Sequence, residues 1–490
     1  MPKEPLKLKY IRFCKEFGSD IFTWNQDSIG KLSLYCQPRN CVVNPNQRSQ
    51  MNQHVERQKH KDNLGRWNRS KQITITQMND PKDQFNKELC NWMVVINIAL
   101  SKLRNKSFTD FLVKYMNKPI SGETAIRNQL NYIFEEKMNQ IRDYLNNNYI
   151  WLSIDKCTSS DGRCVANVVI GTMKAHEQNK VFLVNSVDMK GQVNNAMICQ
   201  IVDESIKLIW KNNFDRKKFL LLITDGAHYM KLAGVNIKAF YPNLVHVTCI
   251  ANFINRLAEF IRNNHKLTDT LISETKKFFS KSRSRIEIFN KFAPELSLPP
   301  KPVITRWSTW LNAAFYYAKN YEIVIQILEK FDPKDAICIQ KVQKLIKKSQ
   351  LKIELSYIFS NFQFFTEILT KIQSKSSSLE KSIQLFQEFE AQLLGIKGDF
   401  GEKLSEKYYY LINKNEGLNI IKNINQIQMG INLETKLTLD QIAAFKYAPI
   451  TSCEVERTFS MYKFMFNQRK HNFIFENFTK SLIISCNSEI

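Results

Sequence analysis

Four residues near the start of the chain have the types and spacing of a metal site: Cys36-x4-Cys41-x12-His54-x5-His60. Two soft thiolates on a β-turn and two imidazoles on a helix make a complete tetrahedral set for Zn²⁺. The gap between the cysteines is wide, whereas the other two gaps are ordinary for zinc fingers. The competing reading is four unrelated residues in a polar segment. In so short a segment a metal also supplies core energy that the side chains lack.

A second group is acidic. Asp155 closes the run YIWLSID, and Asp225 closes KFLLLITD. Both runs read as strands, and in an open α/β sheet the functional crevice lies outside the carboxyl ends of the strands, so the two acids can converge although they are far apart in the chain. Strand-end aspartates are also common in turns without function, and the pair needs a third acid. Glu456, in SCEVERTFSMYKFMF, is a candidate. On a helix, Val455, Phe459, Tyr462 and Phe466 share one stripe, while Glu456, Ser460 and Lys463 fall on the neighbouring one. Three carboxylates make a hard-oxygen site suited to Mg²⁺ or Mn²⁺. Spacing alone favours a solvated glutamate paired with a nearby lysine or arginine.

The elements that must position these groups are legible in outline. Residues 1–80 are polar, and GRWNRSKQITITQMNDPKDQ reads as the linker that ends a small domain. Phe85, Leu89, Trp92, Met93 and Ile96 fall at helical spacing, as do Ile133, Met138 and Ile141. Between 149 and 248 the text turns to short β-rich runs, giving three strands, a helix, a strand, a helix and a strand. From about 250 to 435 apolar residues recur at three-and-four spacing, so this block is mostly helical, with breaks at LSLPPKPV and FDPKD. The last 50 or so residues read as one or two helices.

Charge narrows the partner. With 70 Lys and Arg against 46 Asp and Glu, the chain of 490 residues carries +24 at neutral pH, which points first to nucleic acid. Anionic membrane is the weaker alternative, because no long basic amphipathic helix stands at a terminus. No run of about 18 apolar residues is present and the start is not a secretory leader, so neither membrane spanning nor secretion is expected. Eleven scattered cysteines suit a reducing compartment.

The stretch LYCQPRNCVVNPNQRSQMNQHVERQKHKDNL resembles BED-type zinc fingers, and more narrowly the finger of CGG-repeat-binding proteins. That resemblance implies Zn²⁺ on the four ligands and Arg48, Arg57, Lys59 and Lys61 facing DNA. Further on, WLSIDKCTSSDGR, LLLITDGAHYM, HVTCIANFINRLAE, TRWSTWLNA and PITSCEVERTFSMYKFMFNQRKHNF follow in the order found in the hAT superfamily of DNA transposases, and the chain resembles that superfamily from about residue 85 to its end. The resemblance implies a ribonuclease H-like α/β mixed-sheet core interrupted by a mostly α-helical insertion, and a Mg²⁺- or Mn²⁺-dependent DDE triad of Asp155, Asp225 and Glu456. It assigns Arg306 and Trp307 to DNA, the indole stacking on an extruded base; helix core is an equal reading of Trp307 and Trp310.

The implied domains are a BED-like finger over 1–75, a helical DNA-binding connector over 82–146, the core over 147–260, the insertion over 261–435, and over 436–490 the rest of the core with a dimerisation region. The expected activity is cut-and-paste transposition: binding double-stranded DNA at transposon ends, then strand cleavage and transfer to target DNA by phosphodiester hydrolysis and transesterification. A homodimer or higher homo-oligomer in the nucleus is expected, the basic patch VERQKHKDNLGRWNRSK adding to the latter. One departure stands out. The family carries Cys-x2-His after the second aspartate, and here Cys249 is followed by Asn252. An amide cannot become cationic. His246 is a partial substitute if its strand points it there. The alternative is therefore a domesticated, transposase-derived DNA-binding regulator without catalysis, and a third reading keeps only a basic nucleic-acid-binding scaffold.

Overall fold

A computed structural model describes residues 5–26, 32–43, 45–71, 81–159, 162–211, 213–280, 282–303, 308–374, 377–468 and 474–489. The chain divides into two compact units, Met1–Leu89 and Cys90–Ile490.

The first unit opens with helix α1 (Leu6–Phe17), followed by strands β1 (Phe22–Gln26), β2 (Leu32–Cys36) and β3 (Cys41–Val43) in an antiparallel sheet of that order. Helices α2 (Arg48–Glu56) and α3 (Gln58–Lys71) follow. The core is small: Tyr10, Phe13, Phe22, Leu34, Cys36 and Met51 are among its seven fully buried apolar residues. The basic stretch expected as linker is helical through Lys71, and helix α4 (Pro81–Val95) begins beyond it.

In the second unit, helices α5 (Lys106–Met116) and α6 (Glu123–Leu145) precede the strands β4 (Tyr149–Thr158), β5 (Cys164–Met173), β6 (Val181–Asp188), β7 (Phe219–Thr224) and β8 (Val245–Thr248). Helix α7 (Asn195–Trp210) links β6 to β7, and α8 (His228–Lys238) links β7 to β8. The sheet order is β6-β5-β4-β7-β8, with β4, β5 and β6 antiparallel and β4, β7 and β8 parallel. Strand β7 is buried at every residue and β5 at all but its first, as continuous apolar runs covered on both faces should be. Gly171 serves this packing. It lies opposite Trp151, and a Cβ there would stand 2.2 Å from the indole Nε1.

The chain leaves the sheet through α9 (Ile250–Asn264) and, among the described residues, ten helices, α10 (Lys266–Phe279) to α19 (Glu416–Gln428), including α18 (Asp399–Ile412). The expected breaks fall between Phe292 and Ser308 and between Glu329 and Ile337. The chain then returns through α20 (Leu439–Ala444), α21 (Cys453–Gln468) and α22 (Phe475–Cys486). Helix α21 packs on β4 and β5, and α22 on β6 and α6. One apolar core runs through sheet and helices alike. Among the described residues no helix is long and apolar enough to cross a membrane.

Candidate metal centre and candidate active site

In the first unit Cys36 ends β2 and Cys41 begins β3, directly opposite in register across the turn 37–40, where Asn40 takes the left-handed conformation (φ 51°). His54 lies in the last turn of α2 and His60 in the first turn of α3. The sequence reading put both on one helix, but six residues on a continuous helix would set them about 240° apart. The helix instead breaks at Arg57 (ψ 131°), which brings the ring centroids to 5.0 Å. The ligand atoms of Cys36, His54 and His60 all lie within 4.8 Å of one another. Cys36 Sγ is 3.5 Å from His60 Nδ1, and Phe22 packs 5.9 Å from each imidazole.

The two histidines are in the form that binds metal. Both histidine Nε2 atoms are buried without a hydrogen-bond partner. Burial, then His60, Arg39 and Arg57, pushes His54 down to about 4, so the imidazole stays neutral, the form that ligates. Cys41 lies outside the tight set, yet its charge reaches Cys36 and raises that thiol after burial does. Arg48, Arg57, Lys59 and Lys61 are all exposed, and Arg48 pairs with Glu16. Arg39, 3.4 Å from His54 Nδ1, is a neighbour that the ligand spacing does not reveal.

In the second unit the three acids come from three elements. Strand β4 runs past Asp155 to Thr158, still paired with β5, but its parallel ladder with β7 ends at Ser153. Asp155 therefore stands just beyond the end of the parallel ladder, and Asp225 follows the last residue of β7. Asp155 is opposite Asn167 in register, so both side chains face the same side of the sheet. On that side Asn167 Nδ2 donates to Thr458 Oγ1 of α21 at 2.7 Å, and Ser186 Oγ donates to Asn167 Oδ1 at 2.7 Å. This buried polar chain seats α21 over the row that carries Asp155.

Glu456 reaches the same neighbourhood through the first turn of α21. Ser452 Oγ donates to Glu456 Oε1 at 3.2 Å, while Ser452 N donates to Cys249 Sγ at 3.2 Å. Ile250 N donates to Ile450 O at 3.0 Å. These bonds tie the start of α21 to the end of β8, across 203 positions of sequence in the case of Ser452 and Cys249. Asp225 Oδ1 accepts from Ala227 N at 2.9 Å, which fixes its carboxylate over the turn. Burial first, then the charge of Asp225 and, more weakly, of Glu456, pushes the Asp155 carboxyl up to about 8. Asp155 thus feels both other acids, although among the described residues only the Cys36, His54 and His60 set draws its ligand atoms within 4.8 Å.

Lys156, next to Asp155, lies with its ammonium 4.9 Å from the Tyr229 ring. Tyr229 chiefly raises its pKa, and Cys164 and Asp225 add to this. Neither residue carries a sequence signal beyond adjacency to a strand-end acid. His246 is turned toward α8. Its Nε2 lies 2.9 Å from Thr224 Oγ1, and its ring is packed where a Cβ on Gly234 would stand. It is therefore a packing residue and does not substitute at position 252. Asn252 borders a small cavity with Gly226, Lys231 and Arg256. Arg306 and Trp307 lie outside the described residues. Trp310 is buried core, its indole N–H donating to Asp269 Oδ1 at 3.1 Å.

A mixed five-stranded sheet covered by helices defines an α/β protein, with Asp155 and Asp225 just beyond its parallel ladder. Residues 123–278 match a family described as a domain of unknown function, DUF659. That domain occurs in hAT transposase-like proteins, and the match supports a chain related to hAT transposases. It spans α6, the five strands and most of α10, and so contains Asp155 and Asp225 but not Glu456. The chain has no match among curated proteins.

Proposed function

We propose that this chain is a hAT-type cut-and-paste DNA transposase, with a ribonuclease H-like core carrying an Asp155, Asp225 and Glu456 triad and a BED-like zinc finger at its front. The observation that supports the reading is that the charges of Asp225, after β7, and Glu456, on α21, both reach the buried Asp155 carboxyl of β4 and push it upward. Like charges held together in a half-buried crevice are destabilising by themselves, and a divalent cation neutralises them. The strand order and the return of α21 after a long helical insertion support the ribonuclease H-like assignment.

Bound Mg²⁺ or Mn²⁺ would supply activation of a water or 3′-hydroxyl and stabilise the leaving oxygen of an in-line attack on phosphorus. The protein's part is positional. Ser452 orients Glu456, Ala227 N orients Asp225, and the chain Ser186, Asn167 and Thr458 holds the helix against the sheet. In the finger, Cys36, His54 and His60, with Cys41 across the hairpin, would hold Zn²⁺, leaving Arg57, Lys59 and Lys61 exposed to duplex phosphates. Handling two DNA ends together calls for a homo-oligomer, and the substrate places the work in the nucleus.

The test uses a labelled DNA end with Mg²⁺ or Mn²⁺. Wild-type protein nicks it, and Asp155→Asn, Asp225→Asn and Glu456→Gln each abolish nicking without weakening binding. Binding with no nicking, indifferent to all three changes, overturns the enzyme reading. Cys36→Ser or His60→Ala lowers zinc content and sequence-selective binding; unchanged zinc stoichiometry refutes the finger.

A further inference from the structure

Beside Asp225 the second unit gathers cations from elements far apart in the chain. Arg256 of α9 lays its guanidinium against the turn after Asp225, Nη2 donating to Gly226 O at 3.0 Å. Lys231 of α8 reaches across to the insertion, Nζ donating to Lys414 O at 3.4 Å. Lys414 in turn donates to the Tyr410 hydroxyl and lies 3.8 Å from that ring's centroid, with Lys407 Nζ 5.1 Å from the same ring. Among the described residues none of Lys231, Arg256, Lys407 and Lys414 forms a salt bridge with a carboxylate. Their proximity is felt in the titration. Burial, then Arg256 and Lys414, lowers the Lys231 pKa, and Lys414, then Lys407 and Lys231, lowers that of Tyr410.

The arrangement is built, not incidental. The insertion is clamped to the end of β8 by the buried side chain of Asn415, whose Oδ1 accepts from Thr248 N and whose Nδ2 donates to Thr248 O, both at 2.9 Å. Gly417 permits the close approach, since a Cβ there would stand 1.8 Å from His246 O. Lys414 is thus fixed one residue from a rigid anchor, Asn415, which itself lines the small cavity with Gly226, Lys231 and Arg256. Cations brought near one another with no carboxylate between them cost stability unless an anion joins them, and Arg256 gives Gly226 O only one N–H of the guanidinium's five.

We propose that Lys231, Arg256 and Lys414 form a cradle for a backbone phosphate of the DNA strand that enters the Asp155, Asp225 and Glu456 crevice. The proposal rests on the DNA reading above and adds where the strand is held. Core and insertion each contribute, so the insertion serves as one wall of the substrate channel. The Arg256 fork grips phosphate oxygens beside Asp225, and the two lysines neutralise them.

The experiment measures binding of a fluorescent DNA duplex by anisotropy across a salt series. Lys231→Gln/Arg256→Gln/Lys414→Gln is compared with Lys341→Gln/Lys344→Gln/Lys347→Gln, which removes the same charge from an exposed helix face. The cradle variant should lower the slope of log affinity against log salt by about 2 to 3 and weaken binding at least about 30-fold, the control by less than about 3-fold. Lys231→Gln/Lys414→Gln keeps the Arg256 bond to Gly226 and should lower the slope by about 2, which protects the test if the triple variant does not fold. Equal losses in cradle and control variants, or a wild-type slope in the cradle variants, overturn the proposal. Wild-type protein that shows the cradle-dependent slope but does not nick leaves the cradle standing and removes the nuclease. Nicking by wild type with cradle variants binding normally does the reverse.

Discussion

Asp155→Asn should stabilise the metal-free protein while destroying its activity, and the size of the effect follows from the site. The carboxyl is pushed from 3.8 to about 8 by burial, Asp225 and Glu456. Below about pH 4 native and unfolded chains both hold the proton and no penalty exists. As the pH rises from about 4 to about 8 the unfolded chain ionises first, so native stability is progressively lost. Four units at about 1.4 kcal/mol each set a ceiling of about 6 kcal/mol, and relaxation with water entry leaves roughly half of that. An amide has no charge to bury and escapes the loss. For a unit of about 400 residues, with unfolding entropy near 0.8 kcal/mol/K, the gain corresponds to roughly 3–4 °C at pH 8 and under about 1 °C at pH 4. Differential scanning calorimetry in EDTA over that pH range measures it, with nicking assayed in parallel. Adding Mg²⁺ should raise the wild-type melting temperature and erase the difference. A variant that melts at or below wild type throughout, or whose advantage does not grow with pH, refutes the picture of three mutually repelling acids.

Asn167→Ala cuts the buried chain from Ser186 to Thr458 and should cost about 1–3 kcal/mol in urea unfolding, while nicking falls more than DNA binding because α21 loses its seat; equal losses in both would make it merely structural. His246 is held near 4 by burial, Lys231 and Lys238, below its ordinary 6.5, so its contribution is complete above pH 6.5 and is lost as the pH falls toward 4, about 3 kcal/mol in all. His246→Asn should remove that dependence, and urea midpoints that fall in parallel for both proteins from pH 7 to 4 would contradict it. Gly171→Ala drives a Cβ into Trp151 at 2.2 Å and should destabilise by about 2–3 kcal/mol, seen as a lower thermal midpoint with quenched or shifted tryptophan fluorescence; a wild-type midpoint would show that the indole has somewhere else to go.

What the sequence discloses about this protein divides by the range of the interaction. The five strands are readable because each is a short apolar run bounded by polar turns, and the strand-end position of Asp225 follows directly from the end of KFLLLITD. Asp155 is harder. Its strand outlasts it by three residues, and what places it at the crevice is the earlier end of the ladder with β7, a property of two strands together. The finger shows the same limit. Spacing finds Cys36, Cys41, His54 and His60, but only the backbone break at Arg57 turns His60 back toward His54, and Arg57 carries no proline or glycine signal. Glu456 is the extreme case, because its seat depends on Ser452 meeting Cys249 and on Asn167 meeting Thr458. Neither pair has any local pattern, since a buried amide to hydroxyl bond can form between any two segments that the fold brings together. The cradle residues are silent for the same reason: Lys231, Arg256 and Lys414 are ordinary surface cations in a basic chain until Asn415 fastens the insertion to the end of β8, where Lys231 feels the charge of the other two. In this protein the long insertion is therefore more than a spacer between Asp225 and Glu456, for Asn415 fastens it to the end of β8 and Lys414 O accepts from Lys231 of α8.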